Sequence, residues 1–315
     1  MTRREFALSA GGAIGLSARR AQAQPAAAQT FTYKTAGCEI RADVYGASDG
    51  AAKPALLWIH GGALILGNRK GSVRPFHAGL LDQGYVIVSI DYRLAPETKL
   101  PAIIEDVQDA WKWMREQFRR FGIDRGRIAT GGASAGGYLT QMTGFCLNPR
   151  PRALVSYFGY GDIVGPWYSQ PDEFYRKQPL VTKEQALATV GTAPISDPPQ
   201  GNQRGEFYLY CRQNGLWPVE VSGHDPRTED KWFEAYCPIR NVTAKYPPTM
   251  LIHGTADTDV PYSLSKDMDA KLGKAGVVRD FITVEGAGHG LTGATPEEVS
   301  RVAARAVEFV KAHTA

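Results

Sequence analysis

Gly132-Ala133-Ser134-Ala135-Gly136 stands between an apolar run over residues 127–130 and a second, helix-like run over residues 138–146. The first run predicts a buried strand and the second a helix, so Ser134 falls on the turn that joins them. Glycines are needed in such a tight turn because side chains do not fit, and the serine hydroxyl is exposed at the end of the sheet. The stretch therefore predicts a nucleophile elbow with Ser134 as the attacking group.

Short apolar runs bounded by turn residues recur along the chain. They predict strands at 31–45 (two strands around Gly37), 55–59, 85–90, 128–130, 153–158, 249–252 and 281–284. Helix-like periods between them predict helices at 103–118, 138–146, 262–272 and 296–313. This alternation predicts an α/β fold with a mostly parallel central sheet flanked by helices. We expect the functional residues at the carboxyl ends of the strands.

One long stretch, about 159–248, breaks the alternation and is rich in aromatic residues and proline. An insertion of this length between two core strands predicts a cap over the site rather than a structureless loop. The chain then consists of one domain over residues 30–315 that contains this cap insertion. The aromatic residues of the cap either form a small core of their own or contact the substrate.

The first 23 residues have the features of an export signal. Thr2-Arg3-Arg4-Glu5-Phe6-Ala7-Leu8 resembles the twin-arginine motif of bacterial Tat signals, and Ala21-Gln22-Ala23 offers a small-x-small cleavage site. The apolar stretch between them is too short to span a bilayer. The segment predicts a periplasmic or secreted bacterial protein; the alternative is a disordered basic tail.

Charge and cysteine content exclude several classes of partner. The net charge is +4, and most of it comes from arginines of the N-terminal segment, so a nucleic-acid or membrane-surface role is not expected. The sequence contains no run of 18 apolar residues, so stable membrane insertion is not expected. Cys38, Cys146, Cys211 and Cys237 lack metal-ligand spacing, so we expect no metal and no cofactor. Cys211 and Cys237 could pair in an oxidising compartment or remain buried free thiols.

A serine nucleophile needs a base, and His289 is the best placed of six histidines. It follows the last predicted strand within Glu285-Gly286-Ala287-Gly288-His289-Gly290, where glycines let the loop bring the imidazole close. The acid is Asp257, which follows the strand at 249–252, with Asp259 as its competitor. The order serine, aspartate, histidine matches one of the known convergent triad types.

The oxygen that becomes negative during acyl transfer needs hydrogen-bond donors. His60-Gly61-Gly62-Ala63 follows a core strand, and its small residues let backbone N–H groups approach a substrate. We expect the N–H groups of Gly62, Ala63 and Ala135 to form the oxyanion hole.

Five segments together resemble the esterase and lipase branch of the α/β-hydrolases, akin to hormone-sensitive lipase and bacterial carboxylesterases. They are His60-Gly61-Gly62, Asp91-Tyr92-Arg93-Leu94-Ala95-Pro96-Glu97, Gly132-Ala133-Ser134-Ala135-Gly136-Gly137, His253-Gly254-Thr255-Ala256-Asp257-Thr258-Asp259-Val260-Pro261 and Gly288-His289-Gly290. The resemblance implies the α/β-hydrolase fold. Ala133 and Ala63 depart from the hormone-sensitive-lipase pattern, and the acid segment looks more like that of prolyl-oligopeptidase and dienelactone-hydrolase relatives.

These features predict a serine esterase that cleaves small-molecule carboxylic esters, with short-chain or aromatic acyl groups or sugar esters, through an acyl-enzyme on Ser134. The alternative enzyme is an amidase or peptidase of the prolyl-oligopeptidase-like type with the same triad. A non-catalytic binding protein of the same fold is the third possibility. We expect a monomer or homodimer.

Overall fold

The computed structural model describes residues 28–70, 74–198 and 204–315. The predicted export signal at residues 1–23 lies outside the described residues and stays a prediction. No helix within these three ranges is long and apolar enough to cross a membrane.

Eight strands form one sheet in the order β1-β2-β4-β3-β5-β6-β7-β8. The strands are β1 (Gln29–Thr35), β2 (Glu39–Tyr45), β3 (Lys53–Ile59), β4 (Val86–Ile90), β5 (Ile123–Ala133), β6 (Leu154–Tyr157), β7 (Thr249–Gly254) and β8 (Arg279–Val284). β1 and β2 pair antiparallel, as do β2 and β4, and the other neighbours are parallel. The predicted mostly parallel sheet is confirmed.

Helices cover both faces of the sheet. The helices outside the insertion are α1 (Arg74–Asp82), α2 (Leu100–Glu116), α3 (Phe118–Phe121), α4 (Ala135–Cys146), α11 (Tyr262–Lys274) and α12 (Pro296–Thr314). Their apolar faces pack on strands that are buried on both sides, and every residue of β4 and of β6 is buried. This double burial explains why those strands are apolar throughout instead of alternating.

The long insertion between β6 and β7 is helical. Its helices are α5 (Pro166–Ser169), α6 (Glu173–Arg176), α7 (Lys183–Leu187), α8 (Arg204–Asn214), α9 (Trp217–Ser222) and α10 (Pro226–Glu229), followed by the 3₁₀ turns Asp230–Tyr236 and Pro238–Arg240. Phe207, Trp217 and Phe233 are fully buried in the same hydrophobic cluster as residues of β3, β4 and α2. The insertion is thus packed into the core of the domain on one side of the sheet.

Two parallel strands set the position of the functional loops. β3 pairs with β5 so that Ile59, the last residue of β3, lies opposite Gly132. The loop that follows β3 and the turn that follows β5 therefore leave the same edge of the sheet side by side. β7 and β8, which carry the loops of Asp257 and His289, end at this edge as well.

Candidate active site

Ser134 occupies the sharp turn between β5 and α4, with φ 56° and ψ −122°. Few residues with a side chain adopt a positive φ, and this one is held by the hydrogen bond from its N–H to the Tyr157 carbonyl at 2.9 Å. A Cβ on Gly132 would stand 2.2 Å from the Gly136 carbonyl oxygen, so the glycines permit the turn. The strand–turn–helix unit expected from the sequence is present.

Ser134, His289 and Asp257 form a continuous hydrogen-bonded chain. His289 Nε2 lies 3.1 Å from Ser134 Oγ, and His289 Nδ1 lies 2.8 Å from Asp257 Oδ2. The other oxygen of Asp257 accepts the N–H groups of Asp259 and Val260 at 2.8 and 2.9 Å. The three residues come from the loops after β5, β7 and β8, which are far apart in the chain and adjacent at the sheet edge.

The surroundings of the Asp257 carboxylate keep it ionised. Burial would raise the pKa of Asp257, but hydrogen bonds from His253 and His289 hold that pKa well below its usual range. Burial lowers the pKa of His289, while its bond to Asp257 and the charge of Asp259 outweigh burial and raise it. The imidazole therefore has the environment of a base that becomes transiently positive.

Asp259 lies on the opposite side of the imidazole from Asp257. Its Oδ2 is 3.4 Å from His289 Nε2, the nitrogen that faces Ser134. Of the two candidate acids, Asp257 contacts Nδ1, and Asp259 does not take that place. The ring of Phe158 packs edge-on against the imidazole, with 5.0 Å between the ring centroids.

Residues of the insertion surround Asp259, and the sequence analysis did not single them out. Asp259 Oδ1 accepts hydrogen bonds from Tyr175 Oη at 2.6 Å, from Tyr208 Oη and from Arg212 Nη1 at 2.6 Å. Arg212 is 1% exposed, and its other arm binds Asp172 at 2.7 Å. Tyr175, Tyr208 and Arg212 are 47 or more residues from Asp259 in the chain, so no local sequence pattern predicts that they meet. The abundance of tyrosine in the insertion was the one signal in the sequence that pointed to this cluster.

The segment over residues 60–66 lies against the elbow and is here called the oxyanion loop, after the oxyanion-hole donors predicted in it. A Cβ on Gly61 would stand 3.2 Å from Ser134 Cβ, so this loop passes directly beside the predicted nucleophile. The predicted donors Gly62 and Ala63 follow Gly61 in this loop. The third predicted donor, Ala135, is the first residue of α4, where the helix itself does not use the N–H group.

The side chain of His60, the first residue of the loop, contacts the loop backbone and the ring of Tyr92. Its Nδ1 atom lies 2.6 Å from the Gly61 carbonyl oxygen, and its ring stacks on Tyr92 at a centroid distance of 4.2 Å. Burial lowers the pKa of His60 to about 4, so the ring is neutral at neutral pH. Within the three described ranges, no cluster of three or more His, Cys, Asp or Glu side chains is arranged to hold a metal ion.

Comparison with known proteins identifies the family of this chain. The sequence profile of the BD-FAE family matches residues 42–272. The chain belongs to the BD-FAE family. The resemblance to α/β-hydrolases drawn from the five segments is thereby confirmed.

Curated relatives of this BD-FAE-family chain differ widely in length. It is 31% identical over 260 residues to Esterase LipC of Mycobacterium tuberculosis, an alignment that covers 79% of this chain and 56% of LipC. It is 27% identical over 297 residues to the non-reducing polyketide synthase Preu6 of Preussia isomera, covering 83% of this chain. The chain spans only 13% of the length of that synthase.

Solved structures share the fold. An esterase from the archaeon Pyrobaculum calidifontis superposes with a TM-score of 0.66 at 24% identity, covering 93% of this chain and 88% of the esterase. A protein of unknown function from Staphylococcus aureus superposes with a TM-score of 0.74 at 22% identity, covering 91% of this chain and 100% of that protein. The α/β-hydrolase fold predicted for this chain is confirmed.

Proposed function

We propose that this protein is a serine esterase that hydrolyses small carboxylic esters through an acyl-enzyme on Ser134. The observation that carries the proposal is the hydrogen-bonded chain from Ser134 Oγ through His289 to Asp257, with 3.1 and 2.8 Å between the bonded atoms. Membership of the BD-FAE family and similarity to Esterase LipC support the same class of reaction.

The geometry fits a two-step acyl transfer. Ser134 Oγ attacks the ester carbonyl carbon while its proton passes to His289 Nε2, and the carbonyl oxygen becomes an oxyanion opposite the N–H groups of Gly62, Ala63 and Ala135. The carbon–oxygen bond to the alcohol then breaks, and the proton on Nε2 goes to the departing oxygen. Water repeats the sequence on the acyl-enzyme and releases the acid.

Asp257 contributes by staying negative throughout. Its low pKa keeps the carboxylate ionised while the imidazolium forms, and its bond to Nδ1 fixes the tautomer in which Nε2 is free to accept the serine proton. The reaction needs no cofactor.

Composition of the insertion favours substrates with an aromatic or sugar component. Tyr175 and Tyr208 meet Asp259, which itself lies 3.4 Å from His289 Nε2, so phenolic and carboxylate groups border the reacting centre. We propose short-chain or aromatic acyl esters, including acetylated or feruloylated sugars, as the substrate class.

A series of p-nitrophenyl esters from acetate to palmitate tests the reaction. We expect hydrolysis that peaks at short chains and falls at least about 10³-fold in Ser134→Ala. Ser263→Ala is the matched control, because Ser263 is exposed on α11, and it should retain full activity. Undiminished hydrolysis by Ser134→Ala would contradict the proposal. If a fluorophosphonate labels Ser134 but no ester is cleaved, matched anilides and peptides test the amidase alternative.

A further inference from the structure

The oxyanion loop has an unusual backbone. Three consecutive residues have positive φ: Gly62 at 115°, Ala63 at 54° and Leu64 at 62°. Ala63 and Leu64 carry a Cβ, which makes this conformation strained, and such strain persists only where the surrounding structure fixes it. The partners of the loop backbone therefore decide whether its N–H groups point at the substrate.

Local partners account for three carbonyl groups of the loop. The Gly61 carbonyl lies 2.6 Å from His60 Nδ1, the Gly62 carbonyl accepts the N–H groups of Ile65 and Leu66 at 2.9 Å each, and the Leu64 carbonyl accepts the N–H of Ala95 at 2.8 Å. In a trans peptide the C=O of one residue and the N–H of the next point in opposite directions. Fixing the carbonyls of Gly61 and Gly62 therefore aims the N–H groups of Gly62 and Ala63.

The insertion supplies two further partners. Trp217 Nε1 donates to the Ala63 carbonyl at 2.9 Å, and Arg204 Nε donates to the Ile65 carbonyl at 2.6 Å. Trp217 is 0% exposed and Arg204 is 1% exposed, so neither bond competes with bulk water. Glu97 holds the guanidinium of Arg204 through two hydrogen bonds of 2.8 Å.

We propose that Trp217 is a positioning residue of the oxyanion hole, and this inference rests on the proposed esterase function. Ala63 is a strained residue whose N–H is one of the predicted oxyanion-hole donors, and Trp217 Nε1 holds its carbonyl oxygen. Without that bond the peptide between Ala63 and Leu64 is free to rotate out of its strained conformation. That rotation moves the N–H groups of Ile65 and Leu66 away from the Gly62 carbonyl, so the peptide between Gly62 and Ala63 loses the bonds that fix it and the Ala63 N–H loses its aim. The transition state then loses more stabilisation than the bound substrate.

Trp217 also packs against Tyr168, so the experiment must distinguish the loss of this packing from the loss of the hydrogen bond to Ala63. Its ring stacks on Tyr168 at a centroid distance of 4.1 Å. Trp217→Phe keeps an aromatic ring in this stack and deletes the N–H donor. Trp167 provides the matched control, because it stacks on the other face of Tyr168 at 3.6 Å and its Nε1 finds no hydrogen-bond partner among the described residues.

The experiment compares wild type, Trp217→Phe and Trp167→Phe as full-length proteins. It measures kcat and KM for p-nitrophenyl acetate, the inhibition constant of a trifluoromethyl ketone and the melting temperature. Loss of one oxyanion-hole donor costs about 10²–10³ in kcat, and misdirection of a donor costs part of that. We expect Trp217→Phe to lose about 10-fold in kcat and in affinity for the ketone, with KM within about 2-fold, and Trp167→Phe to stay within about 2-fold throughout.

Equal kcat and ketone affinity in Trp217→Phe and wild type overturn the inference, whatever the melting temperature does. If Trp217→Phe does not fold, benzothienylalanine at position 217 replaces the N–H by sulfur with the ring shape kept, and the same comparison applies. Wild-type turnover that Ser134→Ala abolishes establishes the proposed function independently of position 217. If wild type cleaves no ester, the rates at which a fluorophosphonate labels Ser134 in wild type and in Trp217→Phe are compared. Slower labelling of the variant supports the inference, and equal rates overturn it.

Discussion

His253 Nε2 lies 3.1 Å from Asp257 Oδ2, the same oxygen that contacts His289 Nδ1. The same nitrogen of His253 lies 3.0 Å from the Val260 carbonyl, so it faces two acceptors and carries the hydrogen. The other ring nitrogen lies 2.7 Å from Ser265 Oγ, and the side chain is fully buried. His253 therefore donates a second hydrogen bond to the Asp257 oxygen that accepts from His289.

Replacement of His253 should slow the reaction by loosening Asp257. A hydrogen bond to a charged group contributes about 1.5–3 kcal/mol, which corresponds to about 10- to 100-fold in rate if the loss appears in the orientation of His289. We expect His253→Phe to lose about 10-fold or more in kcat, and His253→Gln, whose amide N–H reaches toward the same oxygen, to recover most of it. Equal rates for the two variants would show that His253 serves packing alone.

Asp259 should tune the pH range of activity. Its negative charge near His289 Nε2 favours the protonated imidazole, while Arg212 opposes that effect. Replacement by Asn removes the charge, so the pKa of His289 falls and the neutral form persists to lower pH. We expect the acid limb of the pH profile of kcat/KM to move to lower pH in Asp259→Asn.

The control for this prediction is Asp172→Asn. Asp172 binds the opposite arm of Arg212 at 2.7 Å and does not contact His289. Its replacement should move the acid limb less than Asp259→Asn does. An acid limb that stays in place in Asp259→Asn, or moves to higher pH, would show that Asp259 does not control the protonation of His289.

Local patterns in the sequence were enough to predict the sheet and its edge. The runs at 55–59, 85–90 and 153–158 are apolar because the strands are covered on both sides, and their boundaries fall within a few residues of β3, β4 and β6. The glycines on both sides of Ser134, between a predicted strand and a predicted helix, were enough to predict the nucleophile elbow. The helix α1 before β4 was not predicted as an element.

Contacts between distant parts of the chain could not be predicted in this way. Trp217 and Ala63 are 154 positions apart, and Arg204 and Ile65 are 139 positions apart. Nothing in the aromatic pattern of the insertion distinguishes a tryptophan that donates to a loop from one that only packs. The two acids Asp257 and Asp259 share one loop, and only the folded structure shows on which side of the imidazole each lies.

Cys211 and Cys237 are free thiols in the structure, so the possible disulfide between them is absent. Both are fully buried, and burial raises the pKa of Cys237 to about 12 and raises that of Cys211 further. At pH 8 neither forms enough thiolate to react quickly. We expect a thiol reagent to titrate all four cysteines in guanidinium without reductant and to leave Cys211 and Cys237 unmodified in the native protein. Two thiols per chain under denaturing conditions would contradict the free state.

Strain at the elbow should appear in stability as well as in catalysis. Ser134 has φ 56° and ψ −122°, a conformation that costs a residue with a Cβ about 1–3 kcal/mol. Ser134→Ala keeps this cost, whereas Ser134→Gly removes it and loses about 0.5–1 kcal/mol through the greater freedom of the unfolded chain. Both variants lack the hydroxyl, so comparing them isolates the backbone. We expect Ser134→Gly to be the more stable by about 1 kcal/mol in equilibrium unfolding with guanidinium, a difference that corresponds to about 2 °C in melting temperature. If the glycine variant is equally or less stable, the elbow stores no strain at Ser134, and the hydroxyl is exposed at no conformational cost.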